Sequence, residues 1–140
     1  MTAQQTEAWK RVRNAGTVNL IIGILTLIGF VIFFIVAMAL IVANFEIPGD
    51  PGEAPMPSWV MGAIFMFVSL FLLPVGIVDI IAGVKMRKPV PKPKGWIIYT
   101  VVMGAINAGS IPGILQLIFG ILALSSSHDL EASQPPAEVK

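Results

Sequence analysis

Long uncharged apolar runs alternate with short polar segments along this chain. From Asn14 to Phe45 no side chain is charged, a run of about 30 residues where roughly 20 suffice to cross a bilayer core. A second apolar run follows Trp59 and reaches Val84, with Pro74 inside it as an expected kink. The third run, Gly95 to Ser127, is about 33 residues long, too long for one upright membrane helix and short for two. Two glycines, a serine and a proline in Ala108-Gly109-Ser110-Ile111-Pro112-Gly113 predict a tight turn, because the residue before a proline is pushed away from helical geometry. The expected spans are therefore about 16–45, 59–84, 95–109 and 112–127, with one long kinked helix over 95–127 as the alternative. The fold class is all-α: an integral membrane four-helix bundle of two antiparallel hairpins, the first long and the second short.

Within these runs an eight-residue pattern recurs. It reads Gly16-Thr-Val-Asn19-Leu-Ile-Ile-Gly23, Gly76-Ile-Val-Asp79-Ile-Ile-Ala-Gly83 and Gly113-Ile-Leu-Gln116-Leu-Ile-Phe-Gly120. A frayed fourth copy, Gly104-Ala-Ile-Asn107, lacks its closing glycine because Ile111 stands there. On a helix, positions one, four and eight share a face, so each glycine pair flanks its polar residue on one seam. In hydrocarbon, helices associate through close backbone contact at small residues and hydrogen bonds between polar ones, and the octet supplies both. Asn19, Asp79, Asn107 and Gln116 are thus expected well inside the apolar core. Asn19 lies six residues beyond Arg13 and Asp79 six before Lys85, which places both roughly 9 Å inside the same boundary. Asn19 is expected to donate to Asp79, or the two to share a third partner such as Gln116.

The connecting segments orient the spans. Residues 1–15 carry Lys10, Arg11 and Arg13 and read as a short amphipathic or disordered lead-in. Ala37-Met-Ala39 resembles a signal-peptidase site, but the apolar run before it is too long for a signal peptide, which predicts an uncleaved anchor. The 46–58 segment is rich in proline and glycine and carries Glu46, Asp50 and Glu53 without a basic residue. A calcium loop would need a ligand spacing that these acids do not match, so a solvated acidic linker is the better reading. Ser58 reads as an N-cap and Trp59 as an interfacial anchor. Lys85, Arg87, Lys88, Lys92 and Lys94 make the next loop strongly basic. Lysine and arginine excess marks the cytoplasmic side, which puts this loop and both termini inside and the acidic loop outside. Trp96 and Tyr99 suit an inner aromatic belt, and the 128–140 tail, with His128, reads as a disordered cytoplasmic segment exposed to solvent.

Composition agrees with the pattern. The chain of 140 residues is 56% hydrophobic and 12% charged, and its mean hydropathy is +0.85. That excludes a soluble globular domain and leaves no room for a separate catalytic one. The net charge of +1 is uninformative and no nucleic-acid partner is indicated, while the absence of cysteine excludes disulfide-stapled outer loops and thiolate metal sites. No serine, histidine or carboxylate cluster supports catalysis, no cofactor is implied, and no small-molecule ligand can be named. The residues singled out are packing and hydrogen-bonding ones, and the expected partners are the lipid bilayer and either further copies or a larger membrane complex. Asp79 carries the alternative, a small channel or proton-coupled transporter, because an intramembrane carboxylate is costly to keep.

The glycine, amide, glycine rhythm at Gly16 to Gly23, Gly76 to Gly83 and Gly113 to Gly120 resembles the small tetraspanning proteins of the membrane-spanning four-domain (B-cell surface antigen-like) type. It is similar also to uncharacterised small bacterial four-helix membrane proteins with a short glycine-rich final hairpin. The chain lacks the outer-loop cysteines of many animal relatives, which points to the bacterial group and the bacterial cytoplasmic membrane. The resemblance implies a non-enzymatic accessory, scaffolding or oligomerising subunit, and no site residue is carried over from it.

Overall fold

The structure, a computed structural model, describes residues 3–88 and 94–131. It is all-α apart from one two-stranded ribbon. The elements are α1 (Ala3–Ala43), β1 (Glu46–Ile47), β2 (Met56–Pro57), α2 (Ser58–Arg87), α3 (Lys94–Ile106) and α4 (Ile111–Glu131). Three of the helices, α1, α2 and α4, are long and apolar enough to cross a membrane, whereas α3 is a shorter apolar helix. At 1.5 Å per residue, the 41 residues of α1 extend about 61 Å and the 13 of α3 only about 20 Å.

Two compact units divide the chain, Gly23–Ile77 and the combination of Met1–Ile22 with Val78–Lys140. In the first unit, α1 ends at Ala43 and Asn44 adopts a left-handed conformation with φ of 43°, a helix-stopping position that asparagine tolerates. The chain then pairs Glu46 with Pro57 and Ile47 with Met56 in antiparallel register. The acidic linker therefore includes a short β-ribbon, and the backbone of Glu53 turns back to donate to the Asp50 carbonyl at 2.9 Å. Ser58 does not cap α2 as its position predicts. Its hydroxyl donates to the Leu40 carbonyl at 2.9 Å and accepts from the Phe45 amide at 3.0 Å, so it closes the end of α1 instead. The two helical stretches meet where Gly62 lies against Ala37 and Ile41, and Gly76 against Gly23 and Leu27. Phe33 and Phe65 add an edge-to-face contact at 5.6 Å. Pro74 lies inside a helix that continues through it to Arg87.

In the second unit, helix begins at Ala3, so residues 3–15 continue α1 rather than forming a separate lead-in. Their apolar positions recur at helical spacing, and Ala8, Val12 and Ala15 cluster with Met86, Ile97, Ala123 and Leu130. Arg11 donates to Ser126 Oγ at 3.1 Å, tying the start of α1 to the end of α4. Helix α4 also runs past the expected boundary, carrying His128 exposed and Leu130 buried before it ends at Glu131. The remainder of the expected tail, 132–140, and the proline-rich part of the basic loop, 89–93, lie outside the described residues.

Helices α3 and α4 are separate, joined by a turn over 107–110. Ser110 makes the turn stop one helix and start the next. Its Oγ accepts from the Gly113 amide at 3.2 Å as an N-cap does, while donating to the Asn107 carbonyl at 2.9 Å. Pro112 falls in the first turn of α4, where a missing amide proton has no intrahelical acceptor to lose. The two helices then pass side by side in opposite directions, Gly104 against Gln116 and Leu117, and Gly120 against Thr100 and Val101.

Candidate functional site

The glycines and polar residues of the three complete octets face inward. Gly16, Asn19, Gly23, Gly76, Asp79, Gly83, Gly113, Gln116 and Gly120 are each buried. In the second unit α1 and α2 approach closely at Gly16 and Gly83. A β-carbon added to Gly83 would stand 2.7 Å from both the Gly16 carbonyl oxygen and the Leu20 amide nitrogen. Only a residue without a side chain lets two backbones meet in this way.

That approach brings together polar groups from four stretches of helix. Asn19, Asp79 and Gln116 are at most 1% exposed, and Thr100 is wholly buried. The Gln116 amide nitrogen donates to Asn19 Oδ1 at 3.0 Å and to Asp79 Oδ1 at 3.2 Å, which uses both of its protons. Asn19 Nδ2 donates in turn to Thr100 Oγ1 at 2.6 Å. The Thr100 hydroxyl donates to the Trp96 carbonyl at 2.8 Å, the usual way a threonine on a helix disposes of its proton. On the other side, Tyr99 Oη donates to Asp79 Oδ1 at 2.9 Å. Met86 Sδ lies 3.5 Å from Thr100 Oγ1 and 3.8 Å from Asn19 Nδ2 as a weak acceptor. Among the described residues no buried side-chain nitrogen or oxygen lacks a partner.

Asn19 and Asp79 share Gln116 rather than bonding directly. The amide of glutamine is one methylene longer and reaches from α4 to both, while its two protons suit two acceptors at once. Asn107 does not belong to the network. It is exposed in the turn after α3, where its amide donates to the Met103 carbonyl at 3.0 Å. Helical spacing alone placed it with the others, but α3 stops one residue short of it. Gly113 is likewise buried against the Asn107 backbone of the same turn, so its small size serves the turn and not a seam between helices.

Two members, Thr100 and Tyr99, are not singled out by the octet. The signal for Thr100 is its place in Ile97, Thr100 and Gly104, which are buried at spacings of three and four on one face of α3. Tyr99 sits beside Trp96, their rings 6.3 Å apart in an edge-on contact, as in an aromatic belt, yet its hydroxyl turns to Asp79. Chemically the arrangement is closed. Donors are matched to acceptors, one end of the chain terminates on a backbone carbonyl, and the other on the carboxylate. Among the described residues no three histidine, aspartate or glutamate side chains gather as a metal site would need. No protein family model, curated protein or solved structure matches this chain.

Proposed function

We propose that the chain is an integral membrane four-helix bundle of two antiparallel helix pairs, acting as a non-enzymatic accessory, scaffolding or oligomerising subunit. The observation that carries this reading is the inverted distribution of side chains. Buried positions hold mostly glycine, alanine, serine and the amide network, while large apolar side chains such as Ile32, Ile35, Phe67, Leu70 and Phe71 point outward. In water so large an apolar exterior would aggregate, whereas in lipid it is the expected solvent-facing surface. Arg13, Arg87 and Lys88 line one cleft, which supports placing the start of α1 and the end of α2 on the same, cytoplasmic side of a bacterial inner membrane.

The buried carboxylate would favour a transport role only if its partners could exchange. The donors to Asp79 are instead protein side chains, Tyr99 of α3 and Gln116 of α4. Asp79→Asn keeps an acceptor for Tyr99 and Gln116, so its assembly and thermal stability in mild detergent are expected to match the parent. Proton flux measured in liposomes should be absent from both proteins. A pH-dependent flux in the parent that disappears in Asp79→Asn would overturn the scaffold reading. Co-purification in mild detergent followed by mass determination is expected to give a discrete complex larger than one chain, and a bare monomer would count against an assembling role.

A further inference from the structure

We propose that the cleft formed by Arg13, Arg87 and Lys88 binds the phosphate of an anionic phospholipid headgroup, an inference that rests on the membrane reading above. The cleft is open to the surface, has a volume of about 300 Å³ and is lined by these three cations and Val84. Two helices build it. Arg13 lies on α1, one turn before Gly16, and Arg87 ends α2. Absence of a side chain at Gly16 draws the second helix in, so that a β-carbon there would lie only 3.3 Å from Arg87 Cγ. The aliphatic stem of Arg87 is thereby held against α1, next to the turn that carries Arg13.

Bringing three like charges to one cleft is unfavourable unless something opposes them. Among the described residues the ion pair present is Lys10 with Glu7 at 3.9 Å, and it involves none of the three. Among the described residues no carboxylate lines the cleft. Phosphate oxygens supply the missing acceptors, and a guanidinium presents a planar fork of donors that fits them two at a time. What favours a lipid over a soluble phosphate is position. Val84 forms the apolar wall and is followed, one turn deeper, by the outward-facing Ile81, so a headgroup seated on the cations has its acyl chain running down an apolar helix face. Basic clusters at the cytoplasmic ends of membrane helices attract anionic headgroups by this combination.

The test uses the full chain in a neutral detergent, exposed to equal amounts of phosphatidylglycerol and phosphatidylcholine and examined by native mass spectrometry. The parent is expected to retain phosphatidylglycerol over phosphatidylcholine by roughly tenfold. The triple variant R13Q/R87Q/K88Q should lose that preference, while K10Q should keep it. Because the three side chains are exposed, the triple variant is expected to melt with the parent, and a melting profile checks this. Equal retention of the two lipids by the parent, or an undiminished preference in the triple variant, overturns the proposal. Displacement of phosphatidylglycerol by millimolar inorganic phosphate would assign the cleft to a soluble anion and overturn the lipid assignment. Flotation with vesicles of pure phosphatidylcholine tests the membrane reading separately: a chain that floats yet shows no preference loses only the cleft, and one that does not float loses the membrane reading itself.

Discussion

Gly83→Val is expected to destabilise the protein by about 3 kcal/mol or more, the upper range for forcing bulk into a close-packed contact. The reason is what the new atoms would meet. At 2.7 Å from the Gly16 carbonyl and the Leu20 amide nitrogen, a β-carbon strikes backbone on both counts, and a backbone cannot rotate aside as a long side chain can. The relief available is separation of α1 from α2, which also pulls Asn19 away from Gln116. A glycine of α1, Gly29, makes the control, because nothing lies within 4 Å of the place its β-carbon would occupy. Gly29→Ala should be neutral or gain up to about 1 kcal/mol from better helix propensity. Denaturation in mild detergent, followed by circular dichroism, reads both. If Gly83→Val melted like the parent, close backbone contact would not be what holds these helices together.

The second large effect is at Gln116. Gln116→Leu removes two hydrogen bonds at once and leaves Asn19 Oδ1 without its donor, while Asp79 keeps Tyr99. A buried acceptor stripped of its partner costs about 1–3 kcal/mol. Asn19→Leu should cost a similar amount, since it releases both Gln116 and Thr100. The two changes act on one bond, so the double variant should be less damaged than the sum of the single ones, with a coupling of about 1 kcal/mol. A double-mutant cycle in detergent measures this. Strict additivity would mean that the Gln116 to Asn19 bond contributes nothing.

Much of this site was legible in the sequence because a long apolar helix leaves few places for a polar residue other than against another helix. Asn19 and Asp79 stand equally far from basic ends on oppositely directed runs, which places them at one depth. Gln116 was within reach as a third partner because it occupies the same octet position. What could not be read was where a helix stops. Asn107 matches the rhythm, but periodicity carries no information about the turn that takes it out of the helix, and Ser110, one serine among several, decides that turn by capping α4. Thr100 was hidden for a different reason: a threonine whose proton goes to its own helix looks like any other β-branched residue in an apolar run. Ser58 was read as the N-cap of α2, but the ribbon folds it back so that its hydroxyl meets Leu40 and Phe45 at the end of α1.

The poverty of the interior in bulky hydrocarbon has a thermal consequence. Most of the buried apolar side chains are alanines, with Val12, Met86, Ile97 and Leu130 as the larger ones. Heat capacity rises on unfolding in proportion to the apolar surface handed to water, and here parting the helices would release little of it. The curve of free energy against temperature should accordingly be broad and shallow. Warmth would loosen this protein gradually, and cold would scarcely weaken it.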